Sequence, residues 1–284
     1  MAARPQHPAD PKYYEALNWI KERVSSRPKI GVVCGSGLGK FADTLEDVTS
    51  FDYKDIPHFP VSTVEGHKGC LVFGKLNGKE LVCMQGRFHL YEGYEASACA
   101  FPIRLFKLLG VEKLALTNAA GGLNQNYKLG DFMLVKDHLN LPALMGLSPT
   151  LGVNDLYWGP RFINMHNCYD QELRDLAKKV AAEIGEEKIQ EGVYQCQVGP
   201  CYETVAEQKL AQAAGVDALG MSTVYEVVAA RHCDIKCFAI SMITNICNPS
   251  YDVVTEVNHE EVIECATTRG DAMVKLISAI LDKW

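Results

Sequence analysis

No run of 18 apolar residues occurs in the 284-residue chain, so no hydrophobic membrane-spanning helix is expected. The opening segment, rich in Pro, His and Asp, lacks the apolar stretch of a signal peptide. No Lys/Arg cluster stands out, and 28 basic residues against 35 acidic ones leave a formal charge of −7. A nucleic-acid-binding face, which needs local positive charge, is therefore not expected. None of the 11 cysteines forms a C-x-x-C pair. Several, such as Cys34, Cys83 and Cys237, sit inside apolar runs, as buried reduced thiols do in a cytosolic protein. Cys233 and Cys237, with His232 beside them, find no second pair to complete a tetrahedral zinc set, so no metal is expected. The single N-x-S/T triplet, Asn248-Pro249-Ser250, is closed to glycosylation by its proline. Internal repeats and low-complexity linkers are absent as well.

What is present is ordinary globular material, 48% apolar and 22% charged. Residues 1–10 read as a flexible tail and 12–25 as an amphipathic helix. The apolar run 30–34 reads as a buried strand feeding the glycine turn 35–39, with a helix-like segment to Glu46. Runs 70–74 and 80–85 flank Asn77-Gly78, a dipeptide suited to the positive φ values of a tight hairpin. Further strands are expected at 113–117, 131–136, 192–198, 216–221 and 236–244, and helices at 96–109, 170–184 and 258–282. Alternation of strands and helices predicts a single α/β domain over 1–284. Strands apolar throughout predict a mixed central sheet covered by helices on both faces. The segment 141–168, rich in Pro, Gly and Asn, has no clear period; such a long loop is often a lid.

Short polar motifs lie at the strand ends. The 35–39 turn fails the dinucleotide fingerprint because residue 40 is Lys40. It fails the P-loop at Cys34 and Phe41, and the nucleophile elbow at Cys34. What remains is Ser36 in a glycine nest, where successive backbone N–H groups can face an anion. In Gln85–Gly93, an extended chain puts Arg87, His89 and Tyr91 on one side, and Arg suits bidentate oxyanion contact. Thr117–Gly122, Gly199–Thr204, Gly220–Glu226, Thr244-Asn245 and Asn258–Glu261 complete the set.

Taken together, these segments resemble purine nucleoside phosphorylases of the homotrimeric, 6-oxopurine-preferring type, in order from about residue 12 to the C-terminus. The stretches that carry the resemblance begin with C-G-S-G-L-G at 34–39, S-T-V-E-G-H at 62–67 and M-Q-G-R-F-H-L-Y-E-G-Y at 84–94. L-T-N-A-A-G-G-L-N at 116–124, D-H-L-N-L-P at 137–142 and G-P-C-Y-E-T-V-A-E at 199–207 follow. The last are G-M-S-T-V at 220–224, I-T-N at 243–245 and N-H-E-E-V at 258–262. The resemblance implies that Ser36, Arg87, His89, Ser222 and the Ala119 backbone hold phosphate, with His67 on a nearby loop. It implies ribose contacts from Tyr91, Met221 and His259, with Phe162 lent by a neighbouring subunit. It places Tyr202 on the purine and Glu203 and Asn245 at the purine edge, with His89, Glu203 and Asn245 as the catalytic set. Tyr202 stands where the family usually has Phe, Tyr225 where it has Pro, and Ile246 where mammalian-type members have Lys.

Phosphorolysis of an N-glycosidic bond asks for position and electrostatics rather than covalent catalysis. Phosphate beneath C1′ stabilises the ribosyl cation and captures it. In the roles the resemblance implies, Asn245 can donate to N7 as charge builds there, and Glu203 can accept from N1–H. Inorganic phosphate is then a co-substrate, and no cofactor is required. A methylthioadenosine phosphorylase is expected to carry an acid at 245 and to lack Glu203. A non-catalytic binder has no need of Arg87 and His89, and a nucleoside hydrolase usually shows an Asp-rich metal motif.

Overall fold

In the computed structural model, the described residues are 5–36, 39–64, 67–252 and 259–284, the side chains of 259 and 261 apart. Helix α1 (Lys12–Lys21) buries Tyr13, Ala16, Leu17 and Ile20, one face at three-to-four spacing. Before it, the Ala9 amide donates to Asp155 at 2.8 Å. Strand β1 (Ile30–Cys34) is buried throughout. The stretch after it corrects the sequence reading in part. The helix-like run expected to Glu46 is a 3-10 helix, Gly39–Thr44, and strand β2 (Glu46–Asp52), which was not expected, begins where that run was to end. That strand is polar because it forms the sheet edge, where charge discourages pairing with other chains.

Strands β3 (Cys70–Leu76) and β4 (Lys79–Gln85) form the expected hairpin, with Asn77 at φ 49° and Gly78 at φ 78°. Helices α2 (Ala96–Cys99) and α3 (Phe101–Leu109) follow, with Pro102 in the first turn of α3. Strand β5 (Lys113–Gly122) runs through the whole Thr117–Gly122 motif rather than ending before it. The remaining elements are β6 (Phe132–Asn140), α4 (Leu141–Leu144), α5 (Gln171–Glu183), β7 (Ile189–Cys196), α6 (Val205–Ala213), β8 (Ala218–Gly220), α7 (Val224–His232), β9 (Lys236–Ile246) and α8 (His259–Asp282).

Among the described residues nine strands form one mixed sheet in the order β2-β3-β4-β1-β5-β8-β7-β6-β9, and β5 also pairs with β9. The last five strands in that order therefore close on themselves. Side chains of alternate residues enter different cores. Val33, Val82 and Leu114 pack with Ile20, Phe106 and Val227 of α1, α3 and α7. Val32, Leu81 and Ala115 pack with Ala177, Met273 and Ile277 of α5 and α8. Burial on both faces is why these strands read as continuous apolar runs. Cys34 and Cys83, on neighbouring parallel strands, are buried free thiols with sulfurs 3.5 Å apart. Among the described residues no helix is long and apolar enough to cross a membrane.

The central parallel strands β1, β4, β5 and β9 point their C-terminal ends the same way. In such sheets ligands bind at those ends.

Candidate active site

An open cleft of about 690 Å³, counted with its mouth, lies at these strand ends. Ser36 enters from the turn after β1, Arg87, His89 and Tyr91 from the segment after β4, and Ala119 from β5. Tyr202 and Glu203 come from the loop before α6, Met221 and Ser222 from the turn before α7, and Asn245 from β9. Asn118, Thr244 and Val262 also line it.

Glycine is required in the first turn by contact. A Cβ on Gly35 would meet the Thr117 carbonyl at 2.6 Å and Arg87 Nη1 at 2.9 Å. The Gly35 N–H is itself taken by Thr117 Oγ1 at 3.1 Å, so it does not serve the anion nest read from the sequence. Residues 37 and 38 of that turn lie outside the described residues. Gly199 has φ +75°, and a Cβ there would collide with the Met221 sulfur.

The 86–88 backbone is held carbonyl by carbonyl. Tyr53 Oη donates to the Gly86 carbonyl at 2.7 Å, and Tyr225 Oη donates to that of Phe88 at 2.5 Å. His67 Nδ1 lies 3.2 Å from the Arg87 carbonyl. A carbonyl only accepts, so His67 Nδ1 carries the proton. Its Nε2 is then an acceptor for the Ser36 hydroxyl at 3.3 Å. Burial pushes the His67 pKa down to about 4, so the ring is neutral near pH 7.

Arg87 is only 1% exposed. Its Nε and Nη2 donate to the two oxygens of Glu226 at 3.2 and 2.9 Å, and Nη1 donates to the Thr117 carbonyl at 2.5 Å. His89 Nδ1 lies 3.1 Å from Glu92 Oε1, which also accepts the His89 backbone N–H at 2.8 Å. Thr63 gives Glu92 Oε2 two more donors, each at 2.7 Å. Burial alone would raise the Glu92 pKa, but the bonds from His89 and Thr63 outweigh it and hold it at about 2. An ionised carboxylate only accepts, so His89 keeps its proton on Nδ1 and leaves Nε2 bare. Burial, with the Arg87 charge, lowers the His89 pKa as well. Tyr91 stacks on His89 with ring centroids 4.6 Å apart.

Burial raises the Glu203 pKa, and Gln197 Nε2 opposes this by donating to Glu203 Oε1. Glu203 is not needed to start α6. Thr204 and Glu207 form the reciprocal capping box there, with Glu207 accepting the Thr204 N–H at 2.7 Å.

The cleft thus gathers most of the residues singled out in the sequence. Phe162 is not among its lining residues: it stands 90% exposed on the long loop after α4. His259 begins α8, but its side chain lies outside the described residues, as does Asn258. Three supporting residues went unassigned in the sequence. Glu92 and Glu226 stood inside the quoted motifs, and Glu92 had the further signal of lying three residues from His89. Gln197 carried no signal, because its partner is set by the fold.

The phosphorylase superfamily matches residues 29–282. A purine nucleoside phosphorylase of Anopheles gambiae is 51% identical over 94% of this chain and 76% of its own length. The Mus musculus enzyme of that name is 46% identical over 95% of this chain and 94% of its own. A Schistosoma mansoni purine nucleoside phosphorylase solved in complex with inosine superposes with a TM-score of 0.92 at 44% identity, covering 96% of each chain. With sequence, fold and cleft in agreement along nearly its whole length, the chain belongs to the purine nucleoside phosphorylases of the phosphorylase superfamily, enzymes that split purine nucleosides with phosphate.

Proposed function

We propose that the cleft prefers 6-oxopurine nucleosides. Inosine, guanosine and their 2′-deoxy forms would be cleaved reversibly to the free base and (deoxy)ribose 1-phosphate, as purine salvage requires. The observation that carries this reading is the lining of the cleft. Arg87, His89, Ser36 and Ser222, which suit an anion, line it together with Glu203 and Asn245, which suit a purine edge, and with Tyr91 and Met221.

Arg87 spends three of its five N–H groups on Glu226 and Thr117. One remains on Nη1 and one on Nη2 to donate to phosphate oxygens. His89 Nε2, bare because Glu92 holds Nδ1–H, accepts a proton carried by phosphate. Ser36 turns its hydroxyl from His67 toward the anion, and Ser222 and the Ala119 backbone complete the set. Phosphate then stands ready to stabilise and capture the ribosyl cation. The base leaves as Asn245 donates to N7. Gln197 occupies one oxygen of Glu203, and the other accepts N1–H. Adenine has a lone pair at N1 and meets repulsion there, which polar sites can turn into rejection of about 10⁴-fold. This chemistry calls on no metal or organic cofactor.

The assembly in this reading is a homotrimer in the cytoplasm. The segment 144–162 exposes Leu144, Met145, Leu151, Val153 and Phe162. Apolar surface of that extent marks an interaction site, and Phe162 would reach a neighbour's sugar site. The deciding test is turnover of inosine with and without phosphate. Hypoxanthine and ribose 1-phosphate are expected only with phosphate, and equal turnover without it would overturn the reading. Adenosine outrunning inosine would overturn the base preference alone.

A further inference from the structure

The start of α7 carries buried polar groups that reach segments lining the cleft. Thr223, held at φ 72° and fully buried, accepts from Asn118 Nδ2 of β5 at 2.9 Å. A β-branched residue at positive φ is strained and persists only where its surroundings over-determine it. Tyr225, 2% exposed, donates its phenol to the carbonyl between Arg87 and His89. Glu226 takes Arg87 in a two-point ion pair. Ser222, directly before them, faces the cleft itself.

Neither Tyr225 nor Glu226 is among the cleft-lining residues. A buried carboxylate beside an anion site is a liability unless it does something for the arginine. Its bidentate grip on Nε and Nη2 fixes the guanidinium plane. The Tyr225 bond fixes the next peptide, which sets the direction of His89 relative to Arg87.

We propose that Tyr225 and Glu226 are positioning residues for phosphate, holding Arg87 and His89 so that both address one anion. The proposal rests on the reading of Arg87 and His89 as phosphate ligands.

Tyr225→Phe is the cleanest test, because it keeps the packed ring and removes only the hydroxyl. Steady-state rates are measured with inosine and phosphate varied independently. Phosphate KM is expected to rise about tenfold, the scale of one lost buried hydrogen bond. Inosine KM should stay within about twofold and kcat at saturating phosphate within about threefold. The rise in Tm that phosphate produces should shrink in parallel. Glu226→Gln should raise phosphate KM further, and Glu226→Asp should recover part of the loss. Should Glu226→Gln fail to fold, Tyr225→Phe decides alone. An unchanged phosphate KM in Tyr225→Phe, or equal rises in both KM values, overturns the positioning role. Arg87→Ala runs alongside: a flat phosphate KM there removes the phosphate site and this proposal with it.

Discussion

Glu92 offers a quantitative test, because its side chain is buried and its four bonds come from known donors. Glu92→Gln keeps the size but replaces one acceptor oxygen with an NH₂ group. Whichever way the amide turns, that group faces two donors, from either Thr63 or His89. Holding the carboxyl at about 2 instead of its ordinary 4.5 corresponds to about 3 kcal/mol. Solvent around the neighbouring exposed Thr63 screens part of this, leaving about 1–2 kcal/mol. The sign follows from proton counting. Between the two pKa values the unfolded chain binds a proton that the folded one does not, so stability rises with pH there. The contribution is complete above about 4.5 and is lost as pH falls toward 2. Urea denaturation of parent and variant at several pH values reads the gap as a difference in midpoint. The expected gap is constant from pH 7 to 5 and narrows from pH 4.5 to 3. A gap that stays constant down to pH 3 would refute the charged-carboxylate argument, and no gap at pH 7 would refute the whole of it. The variant should also raise phosphate KM, since His89 is then free to place its proton on Nε2.

Arg87→Met strands Glu226 in the core and should cost about 3–5 kcal/mol by urea denaturation, besides weakening phosphate use far more than base binding; a loss below about 1 kcal/mol would contradict the tight pair. Asn245→Asp should lose inosine activity and gain relative activity on adenosine, since a protonated acid still donates to N7 without requiring a 6-keto oxygen; an unchanged inosine-to-adenosine ratio of kcat/KM would remove Asn245 from base reading. Gln197→Leu takes a donor from a carboxylate, worth about 1.5–3 kcal/mol. Inosine kcat/KM should drop about tenfold or more, and the loss should deepen at lower pH as Glu203 takes a proton; a pH-independent loss would contradict this. Light scattering should report three times the 31.4 kDa chain mass, and Phe162→Ala should raise nucleoside KM without dissolving that assembly; an active monomer would refute both.

What the sequence determined by itself is local. Periodicity places α1, α5, α8 and most strands because helical and extended backbones repeat burial at fixed intervals, and Asn77-Gly78 announces its hairpin because few residues accept those φ values. That Ser36, Arg87, His89, Glu203 and Asn245 would come together in one cleft was legible because each stands in a short motif beside an expected strand end. The edge strand β2 was not, since its polar residues carry no burial pattern. The closure of β5 on β9, the grip of Glu226 on Arg87 across 139 residues and that of Gln197 on Glu203 belong to the tertiary structure alone. A side chain's chemistry is written in its residue type, but its pKa, its tautomer and its free donors depend on which distant group the fold brings within 3 Å. In this chain that decides which N–H groups of Arg87 are already engaged by Glu226 and Thr117 and which nitrogen of His89 stays bare.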